Sequence, residues 1–215
     1  MCAIPNIGGI DRNIHAPFVT IVRMKKEDII TLPDPRLRQK SSKWYPDDTT
    51  NQVIEEMTSA ALDWEDSRPH EISAALAAVQ IGKLDRVVIV RSDFEDKGNR
   101  EFTVLINPYI AKYEGDVVAD YEGCLSIKSV YGKVPRHTKI RVRGLDHMGR
   151  EISFKAEGFL ARVIQHEIDH TNGIVFIDHI RDTTDAFYTL DDEGELQPLD
   201  YDEHIRDNAE LWADE

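Results

Sequence analysis

A pentapeptide, residues 166–170, constrains the local fold more than any other segment, because it reads His-Glu-Ile-Asp-His. Residues four apart stand above one another on one face of an α-helix, so a helix would let both imidazoles bind one metal ion. Glu167 would lie beside that face, within reach of a water that the metal activates. The spacing therefore predicts the metal-binding helix of a hydrolase. The alternative is a solvated helix that carries two histidines and a glutamate by chance.

The flanking residues favour the metal interpretation. Phe159 and Val163 share the helix face with both histidines, and imidazoles that point into an apolar stripe need partners. Catalytic metal sites usually have three protein ligands, so a third ligand is needed. A cysteine offers a strong thiolate ligand, although a lone cysteine is often only a small core residue. The sequence leaves several side chains open for this role: Cys124, Asp169, Asp178, His179 and other carboxylates.

Hydrophobic periodicity predicts a mixed fold. Apolar residues recur at helical intervals from Val53 to Trp64, which predicts a helix at about 50–65, and a second helix is predicted from near 157 to near 173. Four segments have the composition or alternation of strands: 86–91, 103–107, 139–145 and 151–156. The last two are joined by a predicted hairpin loop at 146–150. We therefore expect an α+β domain in which antiparallel β-sheets pack around the central metal-binding helix.

Charge is distributed unevenly along the chain. The 215 residues carry a net charge of −14, and residues 181–215 contribute −11 of it through 13 acidic and two basic side chains. We therefore expect an N-terminal extension at 1–24, a catalytic domain at 25–181 and an acidic tail at 182–215. Within that tail, 190–201 is expected to form a hairpin or loop. A short helix is expected at 204–213, packed on the domain.

Composition also limits the partners and the setting. The acidic tail argues against direct binding of nucleic acid, and the longest apolar runs are too short to span a bilayer. Two cysteines make no disulfide framework, and no secretory signal is recognisable, so a reducing cytoplasm is the expected location. We expect a monomer that does not associate with membranes.

Three motifs together resemble the peptide deformylase family. The third motif is Gln165 followed by the pentapeptide described above, and it is intact. The second motif, residues 122–126, reads Glu-Gly-Cys-Leu-Ser and is also intact. The first motif is glycine, an apolar residue, glycine, Leu-Ala-Ala, a variable residue and Gln in most members; residues 73–80 read Ser-Ala-Ala-Leu-Ala-Ala-Val-Gln here. The resemblance covers about residues 28–181.

The resemblance implies a metal-dependent hydrolase that removes the formyl group, as formate, from N-formylmethionyl peptides emerging from the ribosome. It implies one divalent ion, Fe(II) in the cell, with Zn, Ni or Co able to substitute. The implied metal ligands are Cys124, His166 and His170. Glu167 would move the reacting proton, and Gln80 and the backbone N–H of Leu125 would stabilise the oxyanion.

Helix phase and the resemblance also predict the residues that contact the substrate: Ala74, Ala75, Gly123, Val130, Tyr131, Phe159 and Val163. Ser73 and Ala75 replace the two glycines of the first motif. Either the backbone there has ordinary dihedral angles and tolerates small side chains, or the cleft is reshaped and prefers other substrates. The alternatives to a deformylase are a related metallo-amidohydrolase for another formamide or peptide, and an inactive metal-binding protein.

Overall fold

Seven antiparallel strands form one sheet in the computed structural model, which describes residues 23–68 and 71–212. The strands are β1 Ala75–Ala77, β2 Val87–Arg91, β3 Phe102–Cys124, β4 Ile127–Leu145, β5 Glu151–Glu157, β6 Phe187–Leu190 and β7 Leu196–Pro198. Their order is β1-β2-β3-β4-β6-β7, and β5 pairs with β4 as well. β1 lies at one end of this order and pairs with β2 alone, so its outer edge is free of any described strand.

Two helices cover opposite faces of the sheet. They are α1 Thr50–Asp66 and α2 Gly158–His170; a third, short helix is α3 Tyr201–His204. Alternation along β2 separates the two cores, since Val88 and Val90 pack with residues of α2 whereas Val87 and Ile89 pack with residues of α1. Four 3₁₀ helices complete the described elements: Lys26–Asp28, Pro35–Arg38, Ala78–Ile81 and Phe176–Ile180.

The predicted α+β class is confirmed, although the strands form a single sheet rather than several. Both predicted helices are present, and β4 and β5 form the predicted hairpin, with Gly149 at φ +76° in its loop. The strand predicted at 103–107 is the start of β3, which continues to Cys124. Most residues of β3 beyond Tyr109 are exposed, so no apolar alternation marks that extension.

The expected acidic tail packs on the sheet. β6 pairs with β4, and β6 and β7 form a hairpin. The expected helix at 204–213 differs, since the helix is confined to α3 and turns follow it. Trp212 is buried with Ile205 and Leu211 in a core cluster, and its Nε1 donates to the Ile205 carbonyl at 2.6 Å. Residues 1–22 and 213–215 lie outside the described residues.

Replacing Trp212 with alanine is expected to lower the melting temperature by about 10 °C. Truncating a buried aromatic side chain typically costs about 3–5 kcal/mol. Calorimetry at fixed metal content measures the shift, and Tyr45→Ala is the matched control because Tyr45 is 73% exposed. An unchanged melting temperature for Trp212→Ala contradicts the packing of the tail.

None of the helices in the described parts of the chain has the length and apolar character needed to cross a membrane.

Candidate active site

Three side chains from two elements meet behind a cleft. Cys124 is the last residue of β3, and His166 and His170 lie one turn apart on α2. One ligand atom from each lies within 4.8 Å of the others, and Cys124 Sγ is 3.2 Å from His170 Nε2. Among the described residues, these three side chains form the one group of cysteine, histidine and acidic residues that could hold a metal ion.

The remaining contacts of these side chains orient them. The Nδ1 of His166 is 2.9 Å from Glu122 Oε2, so this nitrogen donates and the Nε2 is left for the cluster. The Ser126 N–H donates to Cys124 Sγ at 3.4 Å, which helps to fix the position of the sulfur. The cluster therefore presents a soft sulfur ligand and two imidazoles, the donor types that suit zinc and iron.

The protonation of the cluster indicates a site for a cation. Burial lowers the pKa of His170 well below its usual value, which leaves the neutral imidazole that a metal requires. Burial also opposes charge on His166, but its hydrogen bonds to Cys124 and Glu122 outweigh burial and raise its pKa. A positive charge is thus favoured beside the Glu122 carboxylate. The residues present therefore fit a divalent metal ion.

Glu167 lies in the same cleft as a buried acid. Its Oε2 has no hydrogen-bond partner among the residues that the structure describes, and burial raises its pKa to about 7. A carboxyl group with a pKa near neutrality can both take and return a proton at physiological pH. The structure therefore places a group suited to proton transfer beside the ligand cluster.

Gln80 has an amide whose orientation is fixed by its hydrogen bonds. It lies in the 3₁₀ helix Ala78–Ile81, and its Oε1 accepts the Ala77 N–H at 2.8 Å. The Nε2 is 3.2 Å from Ser126 Oγ and 3.6 Å from Cys124 Sγ. The NH₂ group of Gln80 therefore points toward the ligand cluster, where it can donate to a developing negative charge.

The cleft has a volume of about 250 Å³ and contains most of the predicted site residues. Those that line it are Ala74, Ala75, Gln80, Gly123, Cys124, Leu125, Tyr131, Phe159, Val163, His166 and Glu167. Two predicted residues do not line it: His170, which lies behind the cleft in the ligand cluster, and Val130, which packs in the core cluster beneath the tail. Successive side chains of a strand point to opposite faces, so Tyr131 can face the cleft only if Val130 faces away.

The other candidates for a third ligand lie outside the cluster. Asp169 accepts from His179 Nε2 at 2.7 Å, and Asp178 forms an ion pair with Arg38 at 2.6 Å. The side chain of Cys124 is the one that joins both histidines.

Residues 73 and 75 are not held in a conformation that requires glycine. Within the described ranges, the residues other than glycine that have positive φ are Asn107 and Ser129. Ser73 and Ala75 are not among them, so their φ values are ones that any residue adopts. Both side chains are buried. This agrees with the interpretation in which small side chains are tolerated in the first motif.

A buried polar network behind the cluster was not predicted from the sequence. Glu122 accepts hydrogen bonds from Arg136 Nε at 2.9 Å and from Arg162 Nη1 at 2.7 Å, in addition to the contact with His166. Burial opposes the charge on Glu122, but the hydrogen bonds and charges of His166 and Arg136 outweigh burial and lower its pKa. The position of Glu122 in the second motif was the available signal, because a buried carboxylate next to a metal ligand needs a positive partner.

A cysteine sulfur and two imidazoles, grouped beside the buried acid Glu167 of an apolar cleft, have the composition of a metal-dependent hydrolase centre. The family model for polypeptide deformylases matches residues 26–186. The peptide deformylase of Thermomicrobium roseum is 43% identical over 176 residues, which cover 80% of this chain and 96% of the relative. The chain belongs to the polypeptide deformylase family, whose members are metal-dependent enzymes that hydrolyse the N-formyl group.

Solved structures give the same result. A Synechococcus elongatus peptide deformylase in complex with actinonin is 35% identical, with a TM-score of 0.64 and coverage of 76% of this chain and 85% of that chain. A Met-Ala-Ser-bound peptide deformylase from Acinetobacter baumannii is 25% identical, with a TM-score of 0.64 and coverage of 74% and 99%. The antiparallel sheet with few helices is thus the fold of this family.

Proposed function

We propose that this chain removes the formyl group from N-formylmethionyl peptides emerging from the ribosome and that the cleft described above is the active site. The observation that carries the proposal is the Cys124, His166 and His170 cluster, of which Cys124 and His166 line the same cleft as the buried acid Glu167. We infer that α2 is the metal-binding helix, because it supplies both histidines and Glu167.

The metal would be held by Cys124, His166 and His170. When bound, a divalent ion supplies Lewis acidity and a nucleophile at neutral pH. We propose Fe(II) as the ion in the cell, with Zn, Ni or Co able to substitute, since thiolate and imidazole ligands suit these metals.

Glu167 is the proposed proton carrier. It would take a proton from the water that attacks the formyl carbon and return it to the nitrogen as the carbon–nitrogen bond breaks. Water thus adds OH to the formyl carbon and its other proton to the nitrogen, which gives formic acid and the free amine of the peptide. Formic acid loses its proton to the amine or to solvent at neutral pH, so the products are formate and the protonated amine, and atoms and charge balance. A pKa of about 7 suits both halves of this transfer.

Gln80 and Leu125 are the proposed oxyanion donors. Negative charge develops on the formyl oxygen as water adds, and donors that are already oriented stabilise it without rearrangement. The Gln80 NH₂ is oriented by the bond from the Ala77 N–H to Oε1, and Leu125 lines the cleft between Cys124 and Ser126.

The peptide chain of the substrate is proposed to pair with the free edge of β1. Ala74 and Ala75 line the cleft there, and an extended peptide can add to an exposed strand edge through main-chain hydrogen bonds. Gly123 also lines the cleft, and a Cβ added there would come within 2.6 Å of the Tyr131 ring. The methionine side chain would contact Tyr131, Phe159 and Val163. The Met-Ala-Ser-bound relative supports a tripeptide of this length.

The remaining parts of the proposal concern the whole chain. We infer a monomer in the cytoplasm, with a catalytic domain at 25–181 preceded by an extension at 1–24 and followed by the tail at 182–215. The tail carries 13 acidic residues and a single arginine, Arg206, so we infer that it does not bind nucleic acid.

Replacing Gln80 with leucine is expected to lower kcat about a hundredfold while metal content stays the same. The substitution keeps the volume but removes the donor, and one oxyanion donor is worth about 10²–10³ in rate. Steady-state kinetics with a formylated tripeptide measure the loss. Gln52→Leu on the surface of α1 is the matched control. An unchanged kcat would show that Gln80 is not an oxyanion donor.

The proposed function is tested with three peptides: formyl-Met-Ala-Ser, acetyl-Met-Ala-Ser and unblocked Met-Ala-Ser. The chain, purified anaerobically and loaded with Fe(II) or Ni(II), should release formate and an equal amount of free amine from the first peptide only. Cleavage of peptide bonds, or no formate at full metal content, would favour the alternative of another amidohydrolase or of an inactive protein.

A further inference from the structure

A fully buried ion pair lies directly behind the wall of the cleft. Arg91, at the end of β2, is 0% exposed, and Glu65, near the end of α1, is 2% exposed. Their Nη1 and Oε2 atoms are 2.6 Å apart. Replacing such a pair with apolar side chains is often neutral or stabilising, so its presence in the core calls for a role other than stability.

Both members of the pair hold the chain segment that enters β1. The Oε2 of Glu65 also accepts the backbone N–H of Ser73 at 2.9 Å. On the other side, the backbone N–H of Arg91 donates to the Ala74 carbonyl at 2.8 Å. Residues 73 and 74 are therefore held by hydrogen bonds from two directions, immediately before Ala75 enters the strand.

The restrained segment is the cleft wall itself. Ala74 and Ala75 line the cleft, and the outer edge of β1 is free of any strand in the described part of the chain. A short edge strand can bind a peptide chain tightly only if its backbone groups are already in position, since ordering them on binding costs free energy.

We propose that Glu65 and Arg91 are positioning residues, which hold the free edge of β1 ready for the peptide chain of the substrate. This inference rests on the proposed function. The pair sets the affinity for residues that follow the formylmethionine and leaves the chemical step at Glu167 unaffected.

Two substitutions at residue 65 separate positioning from simple anchoring of α1. Glu65→Gln removes the charge but keeps an oxygen that can accept from both Ser73 and Arg91, because both bonds use the same Oε2. Glu65→Met removes the charge and the acceptor. Both variants remove the charge of the pair, so they differ in the hydrogen bonds from Ser73 and Arg91, which glutamine keeps and methionine loses.

The measurement compares a long and a short substrate, formyl-Met-Ala-Ser and formyl-methionine amide. For Glu65→Met we expect KM for the tripeptide to rise about tenfold and KM for the amide to change less than about twofold, with kcat unchanged. Glu65→Gln should keep both KM values within about twofold of the wild type. Calorimetry with Met-Ala-Ser gives a second readout, in which Glu65→Met should bind about tenfold more weakly.

The proposal is overturned if Glu65→Met affects the two substrates equally or if both variants change KM alike. Where Glu65→Met does not fold, Glu65→Met/Arg91→Met removes the same acceptor without leaving a buried charge, and the same length dependence is expected. If the wild type releases no formate, the proposed function fails. The binding of Met-Ala-Ser then still tests the positioning role, because weaker binding by Glu65→Met supports it and equal binding overturns it.

Discussion

Glu167→Gln is expected to lower kcat for formyl-Met-Ala-Ser more than about a thousandfold while the bound metal stays in place. The glutamine side chain has the same size but cannot take up a proton. Glu167 lies in the cleft with a pKa that burial raises to about 7, and its Oε2 has no hydrogen-bond partner in the described part of the chain. The variant therefore has no carboxyl group at this position, and water must perform both proton transfers.

Steady-state kinetics and metal analysis on the same samples test this prediction. Glu56→Gln is the matched control, since Glu56 is another buried carboxylate but lies on α1 outside the cleft. We expect this control to keep the wild-type kcat. A Glu167→Gln variant with normal metal content and more than about a tenth of the wild-type kcat would show that another group carries the proton.

Cys124→Ser is expected to abolish metal binding and formate release together. A serine hydroxyl is protonated at neutral pH and is a harder ligand than a thiolate, so the site would retain two imidazoles only. Cys124 Sγ lies 3.2 Å from His170 Nε2 and accepts from the Ser126 N–H, and both contacts orient it toward the cluster. Metal per chain should fall from near one to below about 0.1.

Anaerobic purification followed by metal analysis measures the loss. Cys2→Ser is the matched control, because it changes the other cysteine of the chain. The control should keep the metal and the activity. A folded Cys124→Ser variant that binds one metal per chain would contradict the ligand set.

The parts of the fold that the sequence predicts best are those with local signals. The apolar face of α1 and the glycine loop between β4 and β5 follow from periodicity and turn chemistry. The five residues at 166–170 predict their own helix, because four-residue spacing brings two side chains together only there. Patterns among residues that are close in sequence therefore predict the local secondary structure.

Contacts between residues distant in sequence were not predictable. The pairing of Glu65 with Arg91 and of Glu122 with Arg162 joins residues from different elements, and a charged residue in a sequence normally indicates exposure. The extension of β3 lacked an apolar pattern because its residues are exposed. Val130 was predicted to line the cleft because it is next to Tyr131 in the sequence. The alternation of side chains along the strand instead points it into the core.

The most direct test of the account measures the rate of formate release from formyl-Met-Ala-Ser against bound Fe(II) or Ni(II) per chain. A single metal held by Cys124, His166 and His170 predicts a linear rise from zero to a plateau at one metal per chain. Release of formate by the metal-free chain, or a fully loaded chain that releases none, would contradict it.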